Sequence, residues 1–194
     1  MNKKIIITIL LALVAMTGQA QEERIDTVIP KFLSNGYFFR EMPTLPDGGK
    51  TMSQLKDKEG EPFPQFSEKD MDGRTWTNDS VKGRVMVLNL WYSGCGPCRA
   101  EMPILSEWKN QLPGVMFFSA TYHDAETAKR ITDKHHFTWT HLIEAKDMMA
   151  WIGTEGFPLT IVVDKKGIVR HTVHGTNEDK RAELLAKIKE ADAE

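Results

Sequence analysis

Two cysteines are all that this 194-residue chain contains, and they stand three apart as Cys95 and Cys98. That scarcity excludes a disulfide-stapled scaffold, which needs several pairs spread along the chain. It excludes a four-cysteine zinc site as well. A bridge across two intervening residues closes a tiny loop and removes little unfolded-state entropy. The pair therefore reads as chemical rather than structural. No apolar run reaches the roughly 20 residues that a membrane-spanning helix needs; Ile5 to Met16, broken by Thr8, falls short. Positive charge is not in excess either. The 25 Lys and Arg face 27 Asp and Glu, and no basic patch stands out, so nucleic acid is not an expected partner. "GGKT" at 48–51 has Thr44 where a phosphate-binding loop requires its first glycine. Internal repeats and low-complexity tracts are also missing.

What is present begins with an address. Lys3 and Lys4 precede the apolar stretch, and Thr17-Gly18-Gln19-Ala20 ends it in small residues. This is the layout of a secretory signal peptide over residues 1–20, cut after Ala20. Losing Lys3 and Lys4 with it takes the formal charge from −2 to −4. Export, to a periplasm or another extracytoplasmic space, places the chain where disulfides persist. Residues 21–60 are polar and broken by Gly and Pro, and read as an N-terminal extension.

From 61 to 194 the pattern is regular. "DMDGRTWT" (70–77) reads as a turn feeding a short strand. "VMVLNLW" (85–91) and "VMFFSATY" (115–122) are apolar runs of strand length, suited to burial on both faces. The segment from Cys95 to Leu112 has helical spacing, with Met102, Leu105, Trp108 and Leu112 on one face and Pro103 expected to kink it. Helices are predicted over 124–137, capped by Asp124, over 146–153, and from Thr176 or Asn177 to the end. "LTIVVD" and "IVRHTVHG" form a hairpin. Strands alternating with helices predict an α/β sandwich on a mixed sheet.

Cys95 therefore falls where a buried strand ends and a helix begins. A helix N-terminus carries unpaired N–H groups and partial positive charge, and both stabilise a thiolate. Cysteines so placed titrate at roughly 3.5–7.5 instead of about 8.5. Cys95 is the expected exposed nucleophile and Cys98, one turn further in, the resolving thiol. Pro97 suits an early helical position, where its missing N–H costs nothing. Gly96 leaves room above Cys95 for another chain. The competing reading is a metal half-site completed by His135, His136 or His141. These lie some forty residues away on a predicted helix end and the next strand, and a solvated helix end is the expected role. No metal is expected. His123, His171 and His174 form no constellation, and Asn78-Asp79-Ser80 fits a glycosylation sequon.

At these residues the chain resembles the thioredoxin superfamily, and within it the TlpA/ResA-like thiol–disulfide oxidoreductases, over about residues 60–190. "LNLWYSGCGPCRAEMP" is similar to that group's active-site segment, with Trp91, Cys95, Gly96, Pro97, Cys98, Glu101 and Pro103 in matching places. "EGFPLTIVVDKKGIV" is similar to its second signature. The resemblance implies a thioredoxin fold with an N-terminal extension and a helical insertion at 122–145. It implies a cis-proline at Pro158, preceded by Phe157, beside Cys95, where a substrate backbone pairs by strand addition. It makes Glu101 a proton acceptor for Cys98, and Trp91 part of the substrate surface. Asn89 stands where thioredoxin has an Asp, and Gly94 where the family commonly has Trp.

The implied activity is reduction of protein disulfides, with no cofactor beyond a redox-active Cys95–Cys98 disulfide. Reduction outside the cytoplasm implies a membrane thiol-reducing protein as electron donor. Substrates of the implied kind are cysteines of apocytochromes, in cytochrome c maturation, or of damaged envelope proteins. Two alternatives stay open. One is a disulfide-forming oxidant or isomerase on the same fold. The other is a thioredoxin-like binding or scaffold protein with incidental redox chemistry.

Overall fold

The computed structural model describes residues 58–153 and 155–194. The leader and nearly all of the extension lie outside them. Residues 58–62 already pack on the domain: Gly60 N–H donates to the Val169 carbonyl at 2.7 Å, and Thr172 N–H donates to the Glu59 carboxylate at 2.8 Å.

Among the described residues the elements in chain order are β1 (Ser67–Asp70), β2 (Thr75–Thr77), α1 (Asn78–Val81), β3 (Met86–Leu90), α2 (Gly96–Gln111), β4 (Met116–Ala120), α3 (Ala125–Lys134), β5 (Thr140–Ile143), α4 (Lys146–Ile152), β6 (Leu159–Val163), β7 (Val169–His174) and α5 (Glu178–Ala193). The strands form one mixed sheet in the order β2-β1-β5-β4-β3-β6-β7. β3, β4 and β5 are parallel neighbours, joined by crossovers through α2 and α3. β6 runs antiparallel to β3, with Leu90 opposite Leu159 and Asn89 opposite Thr160.

β3 explains why the site sits where it does. All five of its residues are buried, and side chains alternate between the two faces. Met86, Leu88 and Leu90 join Phe118, Met148 and Ile161 in one core layer. Val85, Val87 and Trp91 join Cys98, Met102, Leu105 and α5's Leu184 and Ile188 in the other. Asn89 lies on this second face, the polar member of an otherwise apolar stripe.

α2 runs through Pro103 as a single 16-residue helix, so the proline does not end it. The predicted hairpin is β6–β7, and Asn177 caps α5. The 122–145 stretch holds more than a helix: α3 is followed by β5, which widens the sheet. β1 lies just ahead of the 70–77 segment, and no strand is predicted over it. Its inward residues are two acids, Glu68 and Asp70, both about 6% exposed. Asp70 accepts from Asp72 N–H, Arg74 N–H and Trp76 Nε1–H, and so fixes the β1–β2 turn.

Candidate active site

Cys95 occupies the N-cap of α2 with extended backbone angles, and Pro97 fills the first turn. Cys95 and Cys98 are disulfide-bonded, with Cα atoms 5.3 Å apart. Cys98 N–H also points at Cys95 Sγ, at 3.1 Å. An unpaired helical donor thus faces the sulfur that must carry negative charge when the bond opens. Gly96 and Pro97 are exposed, and a Cβ at Gly96 would meet nothing within 4 Å. The Phe157–Pro158 bond is cis. Pro158 is buried and immediately precedes β6.

Two expectations are corrected here. Cys95 is not an open thiol: in the disulfide it is 4% exposed, against 1% for Cys98. Both cysteines belong to the core cluster that holds Trp91, Met102 and Leu105, with Tyr92 packed against it. Trp91 does not shape the outer surface either. It is 0% exposed, and its Nε1–H donates to Ser119 Oγ at 3.2 Å. Its indole lies in the core layer that holds both cysteines.

The acid beneath the site is built from three elements. Glu101 follows Cys98 by three residues, so both side chains share one face of α2. It is 3% exposed. Asn89 Nδ2 on β3 donates to Glu101 Oε1 at 2.9 Å and to Thr160 Oγ1 on β6 at 2.9 Å. Burial raises the Glu101 pKa above its ordinary value, while hydrogen bonds from Thr176 and Asn89 and the charge of Arg181 pull the other way. Asn89 thereby ties the helix carrying the cysteines to the strand that follows cis-Pro158.

Two further groups emerge that sequence reasoning passed over. His123 Nε2 accepts from Ser93 N–H at 2.9 Å, so the histidine set aside as isolated reaches the nucleophile's loop. Tyr92 takes the space that a bulky residue at 94 would need. A Cβ on Gly94 would sit 2.8 Å from the Tyr92 ring, which packs edge-on to Phe157 and stacks with Tyr122. The missing bulky residue is thus answered by an aromatic cluster two positions earlier. His141 is corrected too. It is buried on β5, not solvated, with Nδ1 2.7 Å from Ser119 Oγ and Nε2 2.9 Å from the Phe137 carbonyl. Among the described residues no cluster of His, Cys, Asp and Glu could hold a metal ion. Asn78 is engaged on both sides of its amide, accepting from Phe66 N–H and donating to the Pro64 carbonyl.

The Redoxin family profile matches residues 58–188. The chain belongs to the Redoxin family. This Redoxin-family chain is a thiol–disulfide oxidoreductase of the thioredoxin superfamily, with TlpA/ResA-like character. It is 30% identical to the thiol:disulfide interchange protein DsbE of Pseudomonas aeruginosa over 126 residues, 62% of this chain and 69% of that one. It is 29% identical to the thioredoxin-like protein YneN of Bacillus subtilis over 131 residues, 65% of this chain and 77% of the other. The thiol-disulfide oxidoreductase ResA of Geobacillus thermodenitrificans is 26% identical over 121 residues, 60% and 70% of the two chains. Among solved structures, MTB dsbF superposes with a TM-score of 0.57 at 27% identity, covering 66% of this chain and 95% of its own. A Bacteroides sp. thiol:disulfide interchange protein does so at 0.59 and 22% identity, covering 70% and 91%.

Proposed function

We propose that this Redoxin-family chain is an exported reductase of protein disulfides, working through Cys95 and Cys98. The observation that carries the reading is the N-cap position of Cys95, with the Cys98 amide aimed at its sulfur. In the reduced state the Cys95 thiolate attacks one sulfur of a substrate disulfide. That S–S bond breaks, the other substrate sulfur leaves as a thiolate and takes a proton, and a mixed disulfide forms. Cys98 then loses its proton to Glu101 and attacks Cys95 Sγ. The second substrate sulfur departs, and the Cys95–Cys98 disulfide holds the result of a two-electron transfer. The backbone around cis-Pro158 offers the substrate an extended partner. Trp91, being buried, supports the loop from below, while Phe157 with Tyr92 lines the approach.

Direction and place rest on separate grounds. The Gly-Pro dipeptide is the one found in thioredoxin, a reductant near −270 mV. The apolar leader with Lys3 and Lys4 supports export. Among the described residues no helix is long and apolar enough to cross a membrane. Electrons then come from a membrane thiol-reducing protein whose own dithiol is oxidised. Protein disulfides are the substrates, those between apocytochrome cysteines among the classes tested first.

Cys98→Ser should trap substrates on Cys95 as mixed disulfides, identifiable by mass spectrometry after non-reducing separation. Equilibration with glutathione should place the pair near −270 mV. A value near −180 mV or above turns the reading to an oxidant or isomerase. In-cell function surviving Cys95→Ser would leave a binding protein instead.

A further inference from the structure

The turn that carries Cys95 is held from two sides. Cys95 N–H donates to the Tyr92 carbonyl at 3.1 Å, closing the turn on itself. Between them, the Ser93 carbonyl accepts from Arg99 Nη1 on α2 at 2.9 Å. The Ser93 N–H points the other way, to His123 Nε2 at 2.9 Å. A backbone N–H can only donate, so Nε2 must present its lone pair. The ring is therefore neutral, with its proton on Nδ1.

His123 is itself anchored. Glu144 N–H donates to its carbonyl at 2.9 Å, its ring centroid is 4.4 Å from that of Tyr122, and Trp91 lies at 6.2 Å. Among the described residues, the bond to Ser93 is the one His123 makes into the nucleophile's turn. We infer that His123 is a positioning residue for the exchange reaction: its Nε2 lone pair fixes the Ser93 amide and, through it, the Tyr92–Cys95 turn that presents the attacking sulfur. The inference rests on thiol–disulfide exchange at Cys95, and it does not depend on the direction of that exchange.

A proton on Nε2 removes the acceptor and sets one N–H against another. The half-buried Ser93 amide is then left unpaired. The charges acting on the ring are Asp124, which follows it, and Arg130 on α3, and the titratable Tyr122 ring packs against it. Arg99 reaches the Ser93 carbonyl from α2, and Glu144 meets the His123 carbonyl through its backbone N–H. Burial holds the imidazole below its ordinary value; Asp124 opposes this and Arg130 adds to it. The neutral, bonded form thus dominates at neutral pH. The turn is released as pH falls below the ordinary histidine range near 6.5.

Nitrogen-15 NMR of the oxidised full chain tests this directly. Histidine ring shifts should show the Nδ1–H tautomer at pH 8. On lowering the pH to 5, the Ser93 amide proton should move upfield with the His123 midpoint and lose protection from exchange. His123→Gln offers a carbonyl acceptor without a titrating proton and should hold Ser93 in place throughout. His123→Leu should show the released amide at every pH. The ratio of wild-type to His123→Gln rates of disulfide reduction by dithiothreitol should change by about three- to tenfold across that midpoint. An Nε2–H tautomer, a Ser93 amide indifferent to His123, or a flat ratio each overturns the assignment. Failure of the oxidoreductase reading looks different: the disulfide would not exchange with protein thiols, while the Ser93–His123 coupling would persist.

Discussion

Glu101 shows what a single buried charge does to this molecule. Its carboxyl is 3% exposed and accepts from Asn89 Nδ2 on β3, and burial raises its pKa. A carboxyl whose folded pKa is raised binds its proton more tightly when folded. Stability is then fully present below the unfolded value near 4.5 and is lost as pH rises through the folded one. Glu101→Gln keeps an oxygen for Asn89 Nδ2 but has no proton to lose. We expect the variant to be more stable than the parent above the Glu101 titration and no more stable below it, by urea unfolding across pH. The same change should slow the Cys98 step on the order of 10²-fold, the lower range for a lost general base. Stopped-flow decay of a preformed mixed disulfide reads that step. An unchanged rate would leave Glu101 a structural acid held by Asn89.

At the level of elements, a buried relay joins the residue just after β3 to β4 and β5. Trp91 Nε1–H donates to Ser119 Oγ, the Ser119 hydroxyl donates to His141 Nδ1, and His141 Nε2–H donates to the Phe137 carbonyl. In this relay Ser119 Oγ both accepts and donates, and each imidazole nitrogen has one partner, an arrangement that requires His141 to be neutral. Burial lowers the His141 pKa from 6.5 to about 4. A histidine with a depressed folded pKa costs nothing above the unfolded value. As pH falls from about 6.5 toward 4 the unfolded chain takes up a proton that the folded one refuses, a loss of about 3 kcal/mol. Urea unfolding should show that decline between pH 6.5 and 4. His141→Gln should be less stable at pH 7 and shallower in slope. Equal slopes would remove His141 from the account of acid sensitivity.

The relay also shows what could be read in advance. Cys95, Cys98, Glu101 and Pro158 lie in short segments whose residue types and spacing carry the chemistry. The strands β3, β4 and β6 announce themselves as apolar runs. Ser119 and His141 meet across 22 residues, and Ser93 and His123 across 30, with nothing local to mark either pair. β1 escaped for a related reason. Its buried side chains are acids answered by backbone donors elsewhere: Glu68 accepts from Asp147 N–H at 2.9 Å, at the start of α4. A hydrophobic pattern cannot register a core position filled by a carboxylate.

For the molecule as a whole, redox state and folding stability are one thermodynamic cycle. If the folded pair lies at a lower potential than the same pair in the unfolded chain, oxidation stabilises the fold, by about 1.4 kcal/mol for every 30 mV. A reductant obeys that inequality. A strong oxidant reverses it, because its reduced form is the stabilised one. The cysteines are fixed here within a layer that includes Trp91, Met102, Leu105 and Leu184, so the consequence should spread through the whole core. For a domain of this size each kcal/mol moves the unfolding temperature by roughly 3 °C. We therefore expect the oxidised chain to melt above the reduced one in calorimetry under matched buffer, with Cys95→Ser/Cys98→Ser tracking the reduced form. A reduced chain that melts higher would place the pair among disulfide donors, whatever its dipeptide suggests. It would leave intact both the fold and the assignment of Cys95 as the attacking sulfur.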